Sequence, residues 1–317
     1  MRTGVALLVA ALMVLPVGAA PATRVVSLSL CADQFLLALD AQAQTAGLTR
    51  LAGDEHLSPY ADRAAGVPIH DGTAESVLML KPDLVIAGGY ARAQTVGMLE
   101  RLGVPVLRLK TPQTLADIPP QIEQVADALG RGEQGRALAA RLRAMLTQPG
   151  EGARPTAALY RPGGEVPGSR GIVNDMMKAA GLENIGGKLS GRPNGRVAVE
   201  TLLLNPPDLL VLDSVRPDRP GVGQGVMDHP ALTAARTEMA VAGFPIAWWL
   251  CASPASIEGV ERLAEVAGKA LGVKRGSLPL PQAGEGRNLG DISVKSDDVR
   301  PSPTGEGGAR RRLPAGG

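Results

Sequence analysis

One phrase occurs twice in this chain, 125 residues apart, and it constrains the fold more than any other feature. The first copy runs from Glu75 through Leu80-Lys81-Pro82-Asp83 into Leu84-Val85-Ile86. The second runs from Glu200 through Asn205-Pro206-Pro207-Asp208 into Leu209-Leu210-Val211. Each copy is a glutamate, a short apolar helical turn, a Pro-Asp pair and a run of aliphatic residues. Proline ends the turn, because it has no N–H to donate and restricts the residue before it. The aliphatic run that follows suits a strand buried on both faces of a parallel sheet. Two such units predict two lobes of similar construction, each carrying an equivalent glutamate. A cleft between two lobes is a place for a ligand.

Elsewhere strands alternate with helices, as βαβ units require. The first lobe reads as strands at 24–28, 46–49, 83–87 and 104–109, with helices at 33–39 and 93–102. A stretch of helix without strands follows. It comprises 114–129, where Pro119-Pro120 fits the first turn, and 133–146, where Leu138, Leu142, Met145 and Leu146 share one stripe. The second lobe restarts with a strand at 156–160 and a helix at 172–180 ended by Gly181. It continues through the second repeat, with its strand at 208–212, and a last strand at 244–249. A final helix follows, capped by Ser253 or Ser256 and ending near Leu271. The fold class is α/β: two Rossmann-like lobes, each with a mainly parallel sheet, joined by one long helix. The predicted boundaries are a signal peptide at 1–22, an N-terminal lobe at 23–130, a connecting helix at 131–150, a C-terminal lobe at 151–273 and a disordered tail at 274–317.

The ends support that division. Arg2, the apolar run from Val5 to Leu15 and small residues at Ala19 to Ala22 make a secretory leader, with cleavage after Ala19 or Ala22. The apolar run is shorter than the roughly 20 residues that a membrane span needs. No cysteine stands at the cleavage site, so a lipid anchor is not indicated, and the expected location is the periplasm. From about Gly276 onward Gly, Pro, Ser and charge dominate, with Arg310-Arg311-Arg312 near the end. Such a segment cannot bury enough apolar surface to offset its ordering entropy. Net charge is +2, which gives no reason to expect nucleic acid.

From Arg24 to about Gly272 the chain resembles the periplasmic substrate-binding proteins of ABC importers for cobalamin and ferric siderophores. The residues that carry the resemblance are Arg24-Val25-Val26-Ser27-Leu28-Ser29-Leu30, Glu75 with Leu80 to Val85, and Leu102-Gly103-Val104-Pro105-Val106. They continue with Ala180-Gly181-Leu182-Glu183-Asn184, Val199-Glu200 with Pro207-Asp208, and Ser253-Pro254. The resemblance implies two α/β lobes joined by a long helix, a ligand between them, and a glutamate on each lobe that docks onto an inner-membrane permease. The matching positions are Glu75 and Glu200. It also implies that the chain works as a monomer with no intrinsic cofactor. Its ligand would be a metal chelate: a corrinoid first, because the two glutamate-bearing segments look most like those of the cobalamin receptor, then a ferric siderophore or haem.

Ligands of parallel α/β sheets lie beyond the carboxyl ends of the strands. That rule selects Leu30 and Cys31 after the first strand, Tyr90 after the first repeat, Arg161 after the strand ending at Tyr160, and Trp248, Trp249 and Cys251 after the last strand. His56, Tyr60 and His70 lie in loops that reach the same mouth. Aromatics are only 2% of the chain, which makes Trp248-Trp249 a conspicuous flat surface for a macrocycle. The two cysteines have three readings: free or buried thiols first, then a disulfide stapling the lobes, then ligands to a chelated metal. His56, His70 and His229 would have to converge for a zinc or manganese carrier. A thiol enzyme built on Cys31 and a histidine is the alternative from another class, with no catalytic motif beside it.

Overall fold

The computed structural model describes residues 20–147, 153–214, 229–234 and 239–272. Most of the leader at 1–22, the tail at 274–317 and most of the loop at 213–225 lie outside the described residues. The first sheet holds β1 (Val25–Ser27), β2 (Thr45–Thr49), β3 (Ile69–His70), β4 (Leu84–Ala87) and β5 (Val106–Arg108). Their order is β3-β2-β1-β4-β5 and every pairing is parallel. Helices α1 (Leu30–Ala38), α2 (Ala74–Met79) and α3 (Ala93–Arg101) connect them. Two further helices follow, α4 (Ile118–Ala128) and α5 (Gly132–Thr147).

The second sheet holds β6 (Thr156–Tyr160), β8 (Glu183–Asn184), β10 (Leu209–Ser214) and β11 (Ala240–Pro245), in the order β11-β10-β6-β8 and again parallel. A small antiparallel pair, β7 (Glu165–Pro167) with β9 (Asn194–Arg196), lies beside it. Its helices are α6 (Ile172–Ala179), α7 (Gly186–Ser190), α8 (Val199–Leu204), α9 (Pro230–Ala234), α10 (Ala247–Leu250) and α11 (Ser256–Ala270). The two-lobed α/β architecture is the one the repeat predicts.

The repeat also shows what its Pro-Asp pair does. Asp83 accepts hydrogen bonds from Thr23 N (2.8 Å), Thr23 Oγ1 (2.6 Å) and Arg24 N (2.9 Å), so it holds the start of β1. Asp208 accepts from Thr156 N (2.7 Å) and Thr156 Oγ1 (2.8 Å), so it holds the start of β6. In each lobe the carboxylate satisfies backbone N–H groups that the end of a strand would otherwise leave open.

Beyond small shifts at other ends, two predicted elements differ for a clear local reason, and the final helix starts after Ala255, with no serine at its N-cap. Helix α1 begins at Leu30, earlier than position 33, because Ser29 caps it by accepting from Ala32 N at 3.3 Å. The last strand ends at Pro245, short of 249, and Trp248 and Trp249 lie in the helical turn α10. Proline supplies no ladder N–H, so the strand stops there.

The chain passes from the first sheet to the second once, through α5, which is about 24 Å long at 1.5 Å per residue. Helix α5 packs along α4 where Gly135 meets Ala126; a β-carbon at Gly135 would stand 2.2 Å from that of Ala126. Helix α11 returns from the second lobe to the first. Arg141 pairs with Glu261 at 2.5 Å, the Tyr60 hydroxyl donates to Glu258 Oε1 at 3.3 Å, and Ser253 Oγ bonds Gln34. One hydrophobic cluster contains Val25, Phe35 and Ile86 from the first lobe together with Leu159, Val211 and Phe244 from the second. A shared core of this kind resists large hinge motion, because packed interiors are not continuously deformable.

Candidate functional site

The cleft between the lobes lies at the carboxyl ends of both sheets. Its floor is a cavity of about 100 Å³. The first lobe lines it with Cys31 and Phe35 of α1, Gly88 to Tyr90 after β4, and Leu109 to Pro112 after β5. The second lobe contributes Ile172 at the start of α6 together with Trp249, Leu250 and Ala252. Glycine is needed at 89, since a β-carbon there would fall 1.8 Å from Thr111 Oγ1 of the neighbouring loop. Small-molecule pockets commonly measure about 300–1,000 Å³, so a large ligand would rest over the mouth of this cavity rather than inside it.

Cys31 and Cys251 form a disulfide across the floor, with their Cα atoms 5.2 Å apart. This corrects the preference for free thiols, and it removes both the metal-ligand reading and the nucleophile of the enzyme alternative. The structure brings Cys31, Tyr90 and Trp249 of the predicted residues to the cavity. Tyr90 is the most open of them, 76% exposed. Leu30 is buried in the first turn of α1, and Cys251 is buried beneath the floor.

The tryptophans do not form an exposed platform. Trp248 is buried beneath the Arg262 guanidinium, 4.7 Å from the ring centroid. Trp249 packs on Phe244, with ring centroids 4.5 Å apart, and presents only an edge of the cavity wall. Their place in a helical turn, rather than on a strand, turns both inward.

Tyr60 and His70 are also structural. Tyr60 is buried, with Arg63 4.8 Å over its ring, and burial together with Glu258 keeps its phenol protonated. His70 is buried; its Nε2 donates to the Ser27 carbonyl at 2.7 Å and its Nδ1 accepts from Gly72 N at 3.0 Å. Burial lowers its pKa, so the ring stays neutral and pins β3 to the end of β1. His56 is exposed in its loop, and His229 accepts from Ala231 N at 3.2 Å at the start of α9. Among the described residues no His, Cys, Asp or Glu cluster could hold a metal ion, so the histidines do not converge as a zinc or manganese carrier requires.

Arg161 follows β6, as predicted, but its charge is already engaged. Asp213, at the end of β10, lies 3.2 Å from its Nε, and Glu165 lies 3.6 Å from its Nη1. Trp249 Nε1 donates to Asp213 at 3.4 Å. Burial pushes the Asp213 carboxyl up to about 6, against the opposing attraction of Arg161 and the bond from Trp249. The chemistry that sequence reasoning missed is on the loop after β5. Lys110 and Thr111 are exposed at the cavity, and Gln121 of α4 donates to the Lys110 carbonyl at 3.0 Å. The carboxyl-end rule that selects Tyr90 would also have selected Lys110 had it been applied to the strand at 104–109.

Glu75 and Glu200 stand in the first turns of α2 and α8, and both are exposed. The model of the periplasmic binding protein family matches residues 25–239. The chain belongs to that family. Its members are binding proteins, and the enzyme alternative falls with that assignment. No curated protein sequence matches the chain. Among solved structures, the periplasmic haem-binding protein RhuT from Roseiflexus sp. RS-1 is 22% identical, covers 78% of this chain and 98% of its own, and has a TM-score of 0.61. The haem-binding protein HutB of Vibrio cholerae is 16% identical, with 77% and 98% covered and a TM-score of 0.61. The vitamin B12-binding protein BtuF of Vibrio cholerae is 20% identical, with 79% and 98% covered and a TM-score of 0.56. At these identities the similarity establishes a shared fold for this periplasmic binding protein.

Proposed function

We propose that this periplasmic binding protein captures a metal chelate over the interlobe cleft and delivers it to an inner-membrane ABC importer. Export through the leader at 1–22 and docking through Glu75 and Glu200 complete that reading. The observation that carries it is the rim of the cleft, where exposed Tyr90 and exposed Lys110 flank an apolar floor made by Phe35, Leu109 and Ile172. A flat chelate can cover such a floor, bury its own apolar surface and meet polar groups only at its edge.

Within the class, the rim favours an acidic ferric chelate, haem included. A tyrosine oxygen is a ferric-iron donor, and an ammonium pairs with a peripheral carboxylate. RhuT and HutB, which share the fold, carry haem-binding in their names. A corrinoid, the first choice from sequence, is the second reading. It loses the exposed tryptophan surface, but its amide-bearing edge suits the neutral side chains of Thr111 and Gln121 beside the same floor.

Trp249 lines the cavity, so its fluorescence reports occupancy. Mature protein titrated with haemin, a panel of ferric siderophores, cyanocobalamin and zinc should show saturable submicromolar quenching by one chelate, checked by calorimetry. Tyr90→Phe should weaken a ferric chelate by about tenfold, near 1.4 kcal/mol, and leave cyanocobalamin unchanged. Binding of zinc alone, or of none of these, overturns the proposal.

A further inference from the structure

Single exposed apolar side chains are ordinary on protein surfaces and need no explanation. Two of them here are not ordinary, because they occupy the same place in the two repeats. Met79 and Leu204 are each 82% exposed, the most exposed large apolar side chains among the described residues. Met79 ends α2 and Leu204 ends α8, each four residues after the repeat glutamate. Residues four apart lie one turn on along one helix face, so each lobe presents a carboxylate with an apolar knob beside it.

The fold does not need either knob. Helix α2 buries Ala74 and Val77 against its sheet, and α8 buries Val199 and Leu202. Burial of a side chain of this size is favourable by about 1.5–3 kcal/mol, which both lobes forgo at the same position of the repeat. A knob beside a charge is the usual make-up of a docking hot spot, with an apolar anchor at the centre and an ion pair at the rim. Two copies on one monomer fit a partner that offers one surface twice.

We propose that Met79 and Leu204 are the apolar anchors of a two-point docking surface. The partner is a symmetric membrane protein that presents two equivalent apolar hollows, each beside a cation. The inference rests on the importer reading and deepens it: it names the anchoring residues and requires the partner to be a pair of like subunits. The glutamates steer and orient, while the knobs hold.

The test is made with the full chain in cells that carry its own importer. A photo-crosslinking amino acid is placed at position 79 or at 204, with position 51 as an exposed control. Both test positions should join to one and the same integral inner-membrane polypeptide. That polypeptide's complex, purified, should bind Met79→Gln and Leu204→Gln each about tenfold more weakly than the unaltered chain, and to a similar extent. Chelate affinity and thermal unfolding should not change. Crosslinks to different polypeptides or to a second copy of this chain would overturn the inference, as would glutamine variants that bind like the unaltered chain. Glu75→Ala with Glu200→Ala separates the two readings. If those variants lose binding while the glutamine variants keep it, docking stands and the anchors fall. If all of them keep binding, both readings fall.

Discussion

At the amino end of the first sheet Asp83 holds the start of β1; at the same place in the second, Asp208 holds the start of β6. The helix before each aspartate carries an exposed glutamate, and an exposed apolar residue follows it four positions on. At the other ends of the strands this likeness is gone. The first lobe turns Tyr90 and Lys110 out to solvent at the cleft. The second folds Arg161 onto Asp213 and Glu165 and ties Asp213 to Trp249. What the lobes share belongs to the frame and its outer face, and what differs belongs to the cleft. Among the described residues at the cleft, the first lobe offers exposed polar groups, while the second pairs Arg161 with Asp213 and Glu165. Recognition of a charged ligand is therefore expected to weigh on the first lobe.

The largest effect concerns whether the lobes can be compared as separate bodies at all. The Cys31–Cys251 bond closes a loop of 220 residues and crosses from one lobe to the other. Removing a native disulfide typically costs about 2–5 kcal/mol, so Cys31→Ser with Cys251→Ser should lower the unfolding free energy by that amount, read from the shift of the denaturant midpoint. The transition should remain single, because the shared core and α11 still join the lobes. Two separated transitions would show that the bond alone makes them one unit.

A smaller effect measures the likeness of the frames. Asp83→Ala and Asp208→Ala each remove a carboxylate from exposed backbone N–H groups, and each should cost about 1 kcal/mol, the usual value for such a cap. Near-equal losses in urea unfolding would support equivalent roles; a loss at only one site would break the comparison. The first carries a pH signature. Burial works against ionised Asp83, but the bonds from Thr23 and Arg24 prevail and lower its pKa. Its contribution is present above the ordinary aspartate pKa and is lost as pH falls through the lowered value.

The frame was legible in sequence because it rests on residues whose chemistry permits little else. Proline beyond the first turn ends a helix, long aliphatic runs favour burial, and the two occur together twice. The site was legible only in part. A rule about strand ends, which needs no side-chain geometry, leads to Tyr90 at the cavity; the same rule selects Arg161, which does not line the cavity and is paired with Asp213 and Glu165. Trp248 and Trp249 were misplaced because Pro245 stops the strand one turn early, which exchanges a flat face for an inward turn. Tyr60 and His70 are not legible as packing residues, because a loop residue does not reveal which helix or strand it packs on. Their partners, Glu258 and the Ser27 carbonyl, are 198 and 43 residues away.

The smallest effect tests the closed charges of the second lobe. Asp213 has its pKa raised to about 6 by burial, so the native state binds its proton more readily than the unfolded chain does. For an acid raised in this way, stability is fully present below the unfolded value and declines as pH rises through the folded one. The window runs from about 4 to 6, and the decline is held in check by Arg161. Replacing the guanidinium by Arg161→Met removes the attraction that opposes burial, so the carboxyl should titrate higher still. Carboxyl-carbon NMR would resolve that shift, and no upward movement would mean that the pair is not coupled. Protonating Asp213 also leaves Arg161 uncompensated on that side. A unit charge about 8 Å away in a water-like medium is worth about 0.5 kcal/mol, or roughly twofold in affinity. An anionic ferric siderophore should therefore bind about twofold more tightly at pH 5.5 than at pH 7.5, after correction for the siderophore's own titration. In Arg161→Met the gain should move to higher pH together with the carboxyl's titration, and a gain that stays at the same pH would place the pH-sensitive charge on the first lobe instead.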